Sequence, residues 1–235
     1  MGEHTVTSFD DELGHIDRLI RDMGDLAASM VEAAIRALVG SDAALGQRVI
    51  SDDAVMDARQ RELDDRAITL IAKRQPMAQD LRAVVGAIRM GGDLERIGDL
   101  AKNIAKRVSA VGQNTTPRTL AHSIETMSAM VLAQVNAVVD KYVSRQPDDL
   151  QALRAADEQI DVKYTAVFRE LLTYMMEDPR NITACTHLLF CAKNLERIGD
   201  HVTNIAENAY YVMTGQQLPP NRPKLDETSL ASPAA

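Results

Sequence analysis

The stretch Leu94-Glu95-Arg96-Ile97-Gly98-Asp99 occurs twice in this chain of 235 residues. It returns letter for letter 101 positions later, as Leu195-Glu196-Arg197-Ile198-Gly199-Asp200. The similarity continues to residue 105, so nine of the twelve positions from 94 to 105 are identical in the second copy. A repeat with so long a period indicates two copies of one structural unit.

The motif places an acidic stripe and an apolar stripe on one helix. At about 100° per residue, Glu95, Asp99 and Asn103 lie within an arc of about 80°. The apolar residues lie on roughly the opposite side at the spacing of a buried face, and they are Leu94, Ile97, Ala101, Ile104 and Val108. An acidic stripe of this kind on a single helix is usually a solvated surface.

Comparison of the two copies favours a functional role for the acidic stripe. Lys102 and Lys106 share its face in the first copy and are replaced by Thr203 and Glu207 in the second, whereas the Glu, the Asp and the Asn are retained. The glycine of the motif, Gly98, also recurs. Because a glycine inside a helix costs about 1 kcal/mol relative to alanine, its repetition indicates that another group approaches the backbone there.

The breaks in the pattern predict an all-α fold of six long helices in two tandem three-helix bundles. The predicted helices end at, or are separated by, Gly40, Pro76, Pro179 and Gly215. The third predicted helix, which carries the first copy of the motif, is expected to reach about Ala110. Helices of about 33 residues span about 50 Å, which suits elongated bundles. The predicted domains are residues 1–112 and 113–215, followed by a proline-rich tail, 216–235, that is expected to be disordered.

Composition excludes several classes of protein. The net charge is −8 and aromatic residues make up 3%, so a nucleic-acid-binding protein is not expected. There is no apolar run of the roughly 18 residues that cross a bilayer, and the first residues lack a secretory pattern. Cys185 and Cys191 are interpreted as reduced core residues. Together these features predict a cytoplasmic protein.

The helix before each motif carries two aspartates four residues apart: Asp53 and Asp57 in the first unit, Asp157 and Asp161 in the second. Pro76 lies midway between the first pair and the acids of the first motif, and the break at residues 178–179 lies midway in the second unit. Residues equally far from the turn of an antiparallel helical hairpin lie at the same depth. Each aspartate pair is therefore expected to lie level with the acids of its motif.

Four carboxylates at one depth repel each other unless a cation lies among them, and oxygen ligands suit Mg²⁺, Ca²⁺, Mn²⁺ or ferric iron better than a tetrahedral zinc site. An arginine is the internal alternative, but Arg96 and Arg197 point about 100° away and are expected to form flanking salt bridges. The predicted metal ligands are Asp53, Asp57, Glu95, Asp99, Asp157, Asp161, Glu196 and Asp200, with Asn103 and Asn204 as candidate outer ligands.

Four features occur together in this chain: the doubled motif, the Asn-Ile-Ala that follows it, the aspartate pairs, and Arg74-Gln75-Pro76 with Asp80-Leu81-Arg82. With these features the chain resembles the PhoU family over residues 8 to 215. The resemblance implies metal clusters, with iron, manganese, magnesium or zinc as the ion, homodimers, and a cytoplasmic regulator with no catalytic residues. It further implies a negative regulator of phosphate uptake and phosphate-starvation signalling. Such a regulator acts between the ATPase subunit PstB of the Pst transporter and the PhoR–PhoB two-component system, and it reaches the membrane only through its partners.

Two alternatives compete with this interpretation. A ferritin-like di-iron oxidase needs Glu-x-x-His on two helices, and this spacing occurs once, at Glu12 and His15. A helical scaffold without a metal role would keep the acidic stripes for solubility alone. The two copies also differ in places: the second has Asn194 where the first has Asp93, and Asp178-Pro179 where the first has Arg74-Gln75-Pro76. We therefore expect the two metal sites to differ in charge and occupancy.

Overall fold

Residues 2–111 and 118–218 are described in the computed structural model of the chain. They form six long helices, one short helix and a 3₁₀ turn at Pro179–Asn181, and they contain no β-strand. The helices are α1 (Gly2–Gly40), α2 (Ala43–Arg74), α3 (Gln79–Ala105), the short α4 (Val108–Val111), α5 (Arg118–Val143), α6 (Leu150–Glu177) and α7 (Ile182–Thr214). The predicted fold class is confirmed.

Local chemistry accounts for the ends of the helices. The side chain of Asp42 caps α2 by accepting a hydrogen bond from the backbone N–H of Leu45 at 2.9 Å. Gln75, with a φ of 49°, ends α2 in the left-handed conformation directly before the predicted break, and Gly215, with a φ of 72°, ends α7. The prediction that the third helix reaches about Ala110 is wrong. The helix stops at residue 105, and after a two-residue turn α4 brings its two valines into the core.

The helices form a central layer of four with one helix outside on each unit. In the first unit α1, α2 and α3 pack on one another, and in the second α5, α6 and α7 do so. The units meet where α3 packs along α7 and α1 along α5. Because α2 and α6 pack mainly within their own units, they lie on the outside of the layer.

The helices that join the two units run antiparallel. Asp93 of α3 contacts His201 of α7 at 2.9 Å, and Arg107, just after the end of α3, contacts His187 of α7 at 3.0 Å, so residue numbers rise on one helix as they fall on the other. The two copies of the motif therefore lie side by side in the middle of the interface. One continuous apolar core includes residues from all six long helices, among them the motif leucines and isoleucines.

Part of the predicted domain division lies outside the described residues. These do not include the boundary between residues 112 and 113, or positions 219–235 of the predicted tail, so that division stays a prediction. Leu218, at the start of the predicted tail, is only 8% exposed. In the described part of the chain, no helix is both long enough and apolar enough to span a bilayer.

Candidate functional site

The first set of predicted ligands lies between α2 and α3, and we call it cluster 1 (Asp53, Asp57, Glu95 and Asp99). The ammonium of Lys102 joins the two helices, because its Nζ lies 2.7 Å from Asp53 Oδ2 and 2.6 Å from Asp99 Oδ1. Both aspartates of α2 act electrostatically on Glu95. The four carboxylates are half-buried and lie at one level, as the distances from the turn predict.

The negative charge of cluster 1 is compensated in part by cations of the protein itself. Burial raises the pKa of Glu95; Arg96 opposes this shift, while the neighbouring aspartates add to it. Burial also opposes ionisation of Asp99, but the hydrogen bond and charge of Lys102 outweigh it and lower the pKa of Asp99. Burial alone would lower the pKa of Lys102, but its bonds to the two carboxylates raise it. Lys102 is therefore the internal cation of cluster 1.

The second set of predicted ligands lies between α6 and α7, and we call it cluster 2 (Asp157, Asp161, Glu196 and Asp200). It is much more buried: Asp157 is 1% exposed, Asp161 3% and Glu196 6%. Charge on Asp161 and Asp200 raises the pKa of Glu196, although burial is the larger cause and Lys193 opposes both. The four acids of the second unit are thus brought together as well.

The motif glycines allow the outer helix of each unit to approach closely. A Cβ on Gly199 would overlap the carboxylate of Asp157, and a Cβ on Gly98 would be in tight contact with Met56. The inference that another group approaches the backbone at this position is confirmed in both units. In the second unit, that group is itself one of the predicted metal ligands.

Cluster 2 lacks the lysine that joins the two helices in cluster 1. Thr203 stands where cluster 1 has its lysine, and it is 3% exposed. Lys193 Nζ contacts Glu196 Oε1 at 2.9 Å, but this lysine lies at the rim with 41% of its side chain exposed. Within residues 2–111 and 118–218, neither the second carboxylate oxygen of Glu196 nor the hydroxyl of Thr203 has a hydrogen-bond partner, although both are buried.

The donor groups of cluster 2 fit a hard cation better than those of cluster 1. Burying a carboxylate without a compensating positive charge or hydrogen bond costs several kcal/mol, and hard cations prefer oxygen ligands. In cluster 1 the ammonium of Lys102 already bridges Asp53 and Asp99. Across the described ranges, no three Asp, Glu, His or Cys side chains are already arranged as metal ligands. A cation at cluster 2 would therefore require its carboxylates to rotate towards one point.

The two candidate outer ligands behave differently. Asn103 Nδ2 donates to Asp99 Oδ2 at 3.3 Å and so supports cluster 1. Asn204 is exposed, and its Nδ2 donates to Asp93 Oδ1 of the other unit at 3.3 Å. Arg96 contacts its neighbour in the motif at 3.5 Å and is 62% exposed, so it makes the expected flanking salt bridge.

Sequence reasoning missed two partners of the candidate site. It treated Lys102 as a variable surface residue, although the spacing of three residues from Asp99 on one helix was an available signal. It also gave no role at the site to His201, whose Nδ1 contacts Asp93 across the interface. That pair links two helices 108 positions apart, and spacing within one helix could not reveal it.

The residues that motivated the di-iron alternative lie elsewhere. Glu12 forms a salt bridge of 2.9 Å with Arg74, at the C-terminal end of α2. That position is about 25 Å along the helix from Asp57, taking 1.5 Å per residue. The Glu-x-x-His pattern therefore belongs to an ion pair at one end of the first unit and not to cluster 1.

These features define a class of protein: an all-α chain of two repeated three-helix units, each with a carboxylate cluster between its second and third long helices. The family model of the PhoU domain matches residues 20–108 and 124–209. The chain belongs to the PhoU family.

Individual members of the family are similar to this chain over nearly its whole length. The chain is 57% identical to the phosphate-specific transport system accessory protein PhoU homolog of Rhizobium meliloti over 226 residues, covering 96% of this chain and 95% of that protein. A homolog with the same description from Caulobacter vibrioides is 47% identical, with coverage of 97% and 100%. The crystal structure of PhoU from Pseudomonas aeruginosa superposes with a TM-score of 0.84 at 33% identity, covering 88% of this chain and all of that one.

Proposed function

We propose that this protein is an accessory regulator of phosphate-specific transport. In this role it restrains phosphate uptake and phosphate-starvation signalling as an adaptor between the Pst transporter, through its ATPase subunit PstB, and the PhoR–PhoB two-component system. The observation that carries the proposal is that both units match the PhoU domain and that relatives named as accessory proteins of the transport system match nearly the full length. A binding role in the cytoplasm, as a homodimer and without catalysis, is part of the same proposal.

The geometry supports a role in binding. The two units present long helical surfaces, and α2 and α6 lie on the outside with one flank available to partners. The strongest concentrations of charge are the two carboxylate clusters, which tie each outer helix to the motif helix behind it. A change in charge at a cluster would alter how the outer helix packs. Such a change offers a route from ion binding to the docking surface.

A metal ion is part of the proposal, with cluster 2 as the preferred site. Asp157, Asp161, Glu196 and Asp200 would hold it, and the ion would neutralise a group of carboxylates of which three are buried. Oxygen ligands suit magnesium, manganese, calcium or iron, and zinc remains among the candidates from the family likeness. At cluster 1 an ion would first have to displace Lys102.

Deletion of the gene, followed by complementation, tests the regulatory role. Alkaline phosphatase activity is measured in cells grown with excess phosphate, and the deletion strain is expected to lose repression while the wild-type gene restores it. A strain that carries Glu196→Gln with Asp200→Asn separates the metal-dependent regulator from an inert scaffold. Unchanged repression in the deletion strain would contradict the regulatory role, and full repression by the double variant would contradict a role for cluster 2 in it.

A further inference from the structure

A long groove runs between α3 and α7, and its lining also includes one residue from each outer helix, Gln60 of α2 and Arg154 of α6. Its volume is about 1380 Å³. Arginines from α3 and α6 line it together with polar residues of α7, and the lining also holds three carboxylates, Asp93, Glu95 and Glu207. The protein as a whole carries a net charge of −8, so a concentration of arginines in one groove is unexpected.

Three of these arginines form a row along α3. Arg82, Arg89 and Arg96 follow one another at intervals of seven residues, which is close to two turns of helix and keeps them on one face. Neighbours in the row are about 10.5 Å apart along the axis, and the whole row is about 21 Å long. A fourth arginine reaches the groove from α6, at position 154.

The carboxylates in the groove are engaged, and one of them, Glu95, contacts Arg96 of the row itself at 3.5 Å. Within the described part of the chain, the arginines of the row that lack a carboxylate partner are therefore Arg82 and Arg89. Asp93 is held by His201 at 2.9 Å, and Glu207 contacts the arginine of α6 at 3.3 Å. Over the described ranges, Arg82 and Arg89 form no salt bridge. The guanidinium carbon of Arg82 lies 6.0 Å from the ring centroid of Tyr211, and its Nε is buried without a hydrogen-bond partner there.

The repeat itself shows that the fold does not require this row. The positions equivalent to Arg82 and Arg89 in the second unit are Thr183 and Phe190. The corresponding hollow at the other end of the α3–α7 interface is about 470 Å³ and is lined by Phe190, His187 and their neighbours. Two of the three arginines of the row are therefore particular to the first unit, whereas the third, Arg96, recurs as Arg197.

A glycine in the groove points to close approach by another molecule. Gly92 lines the groove, and a Cβ added there would meet nothing within 4 Å. No contact made by the described residues explains glycine at this position inside α3, where it weakens the helix relative to alanine. Glycine is expected where a ligand backbone comes close.

We propose that this groove, between α3 and α7, docks an acidic helical segment of a partner protein. A helix about 10 Å across and 21 Å long occupies about 1600 Å³, which is close to the volume of the groove. Carboxylates spaced about two turns apart on such a segment would each meet one arginine of the row, and arginine pairs with carboxylates in a two-point geometry. Leu81, Val85 and Leu218 supply apolar contacts between these pairs.

The spacing distinguishes this occupant from a small anion. A phosphate ion would engage one or two of the arginines and leave most of the groove to water. A helical segment satisfies the whole row and uses the space above Gly92. This proposal stands on the groove alone and does not rest on the role in phosphate regulation, so its test needs no measurement of gene expression.

The test uses the full chain and a labelled peptide. The peptide is a capped alanine-rich helix of about 21 residues with leucines on the contact face and glutamates at three positions seven apart. A control peptide has the same composition with the glutamates spread around the helix. Binding is followed by fluorescence anisotropy for the wild type, for Arg82→Glu with Arg89→Glu, and for Arg36→Glu, which reverses an exposed charge on α1. Circular dichroism verifies that each variant is folded.

We expect the spaced peptide to bind and the double reversal to weaken binding at least about tenfold, with a change below about twofold for Arg36→Glu. Gly92→Ala is expected to weaken binding as well while leaving the fold intact. Equal binding of the two peptides, or no binding up to about 1 mM, would overturn the proposal. If inorganic phosphate displaces the peptide at a concentration below that of the peptide, the groove is a site for a small anion instead. If the double variant no longer forms a dimer that the wild type forms, the groove is an interface with a second copy of this chain instead.

Discussion

Replacement of Lys102 by methionine removes the cation of cluster 1 while keeping most of the apolar length of the side chain. The ammonium lies 2.6 Å from Asp99 and 2.7 Å from Asp53, and the lysine side chain is 19% exposed. Exposed ion pairs contribute about 0.2–1 kcal/mol, whereas breaking a fully buried pair costs about 3–5 kcal/mol. For two half-buried pairs we expect a loss of about 1–3 kcal/mol at neutral pH, or about 2–12 °C in melting temperature.

The pH dependence of this loss has a definite sign. The pKa of Lys102 is raised in the folded state, so its contribution is present below the ordinary lysine pKa and disappears as the pH rises through the raised value. The pKa of Asp99 is lowered, so its contribution is present above the ordinary aspartate pKa and disappears as the pH falls through the lowered value. The difference between variant and wild type should therefore extend over about pH 4–10 and shrink near pH 3.

Urea unfolding followed by circular dichroism, repeated at several pH values, measures this difference. Lys106→Met is the control, because it removes an exposed lysine from the end of the same helix and should change stability by less than about 0.5 kcal/mol. Added Mn²⁺ should stabilise Lys102→Met by up to about 2.7 kcal/mol at one hundred times its dissociation constant. A loss that is equal at every pH, or no greater than that of the control, would refute the assignment of Lys102 as the internal cation.

Three further predictions concern packing and burial. Tyr142→Phe removes a buried hydroxyl that donates to Asp17 at 2.6 Å and should cost about 1.5–3 kcal/mol in urea unfolding; no change would mean that this link between α5 and α1 carries no energy. Gly24→Ala places a Cβ against a valine of α5 and should lower the free energy of unfolding by about 1–3 kcal/mol. Gly92→Ala places its Cβ in open space and should raise the free energy of unfolding by about 0.5–1 kcal/mol. If the melting temperatures of the two variants shift in the same direction, this contrast is wrong. Burial raises the pKa of Cys191 to about 12, so Ellman's reagent near pH 8 should modify it only after unfolding, and rapid reaction of the native protein would be inconsistent with that burial.

Much of the candidate site could be predicted from sequence because depth in a helical hairpin follows from distance to the turn. Pro76 placed Asp53 level with Asp99, and the structure brings both to one lysine. The apolar stripe was equally predictable, since Leu94 and Ile97 are fully buried. These features depend on periodicity within a helix and on one hairpin break, and both are local properties.

The difference between the two clusters could not be predicted in the same way. The four acids of cluster 1 are half-buried, whereas three of the four matching acids of cluster 2 are almost completely buried, because burial depends on how closely the outer helix approaches. The packing of α3 on α7, which pairs Asp93 with His201, is set by contacts between distant parts of the chain. Gly24 and Gly86, at which helices of the two units cross closely, lie outside the repeated motif and carried no signal in it.

Anomalous diffraction from crystals grown with Mn²⁺ tests the central claim most directly, namely that the repeated acids form two clusters of which cluster 2 is the cation site. We expect a manganese peak among Asp157, Asp161, Glu196 and Asp200 in the wild type, and a second peak at cluster 1 only when Lys102 is replaced by methionine. A peak at cluster 1 alone in the wild type, or no peak at either cluster with saturating manganese, would contradict the account.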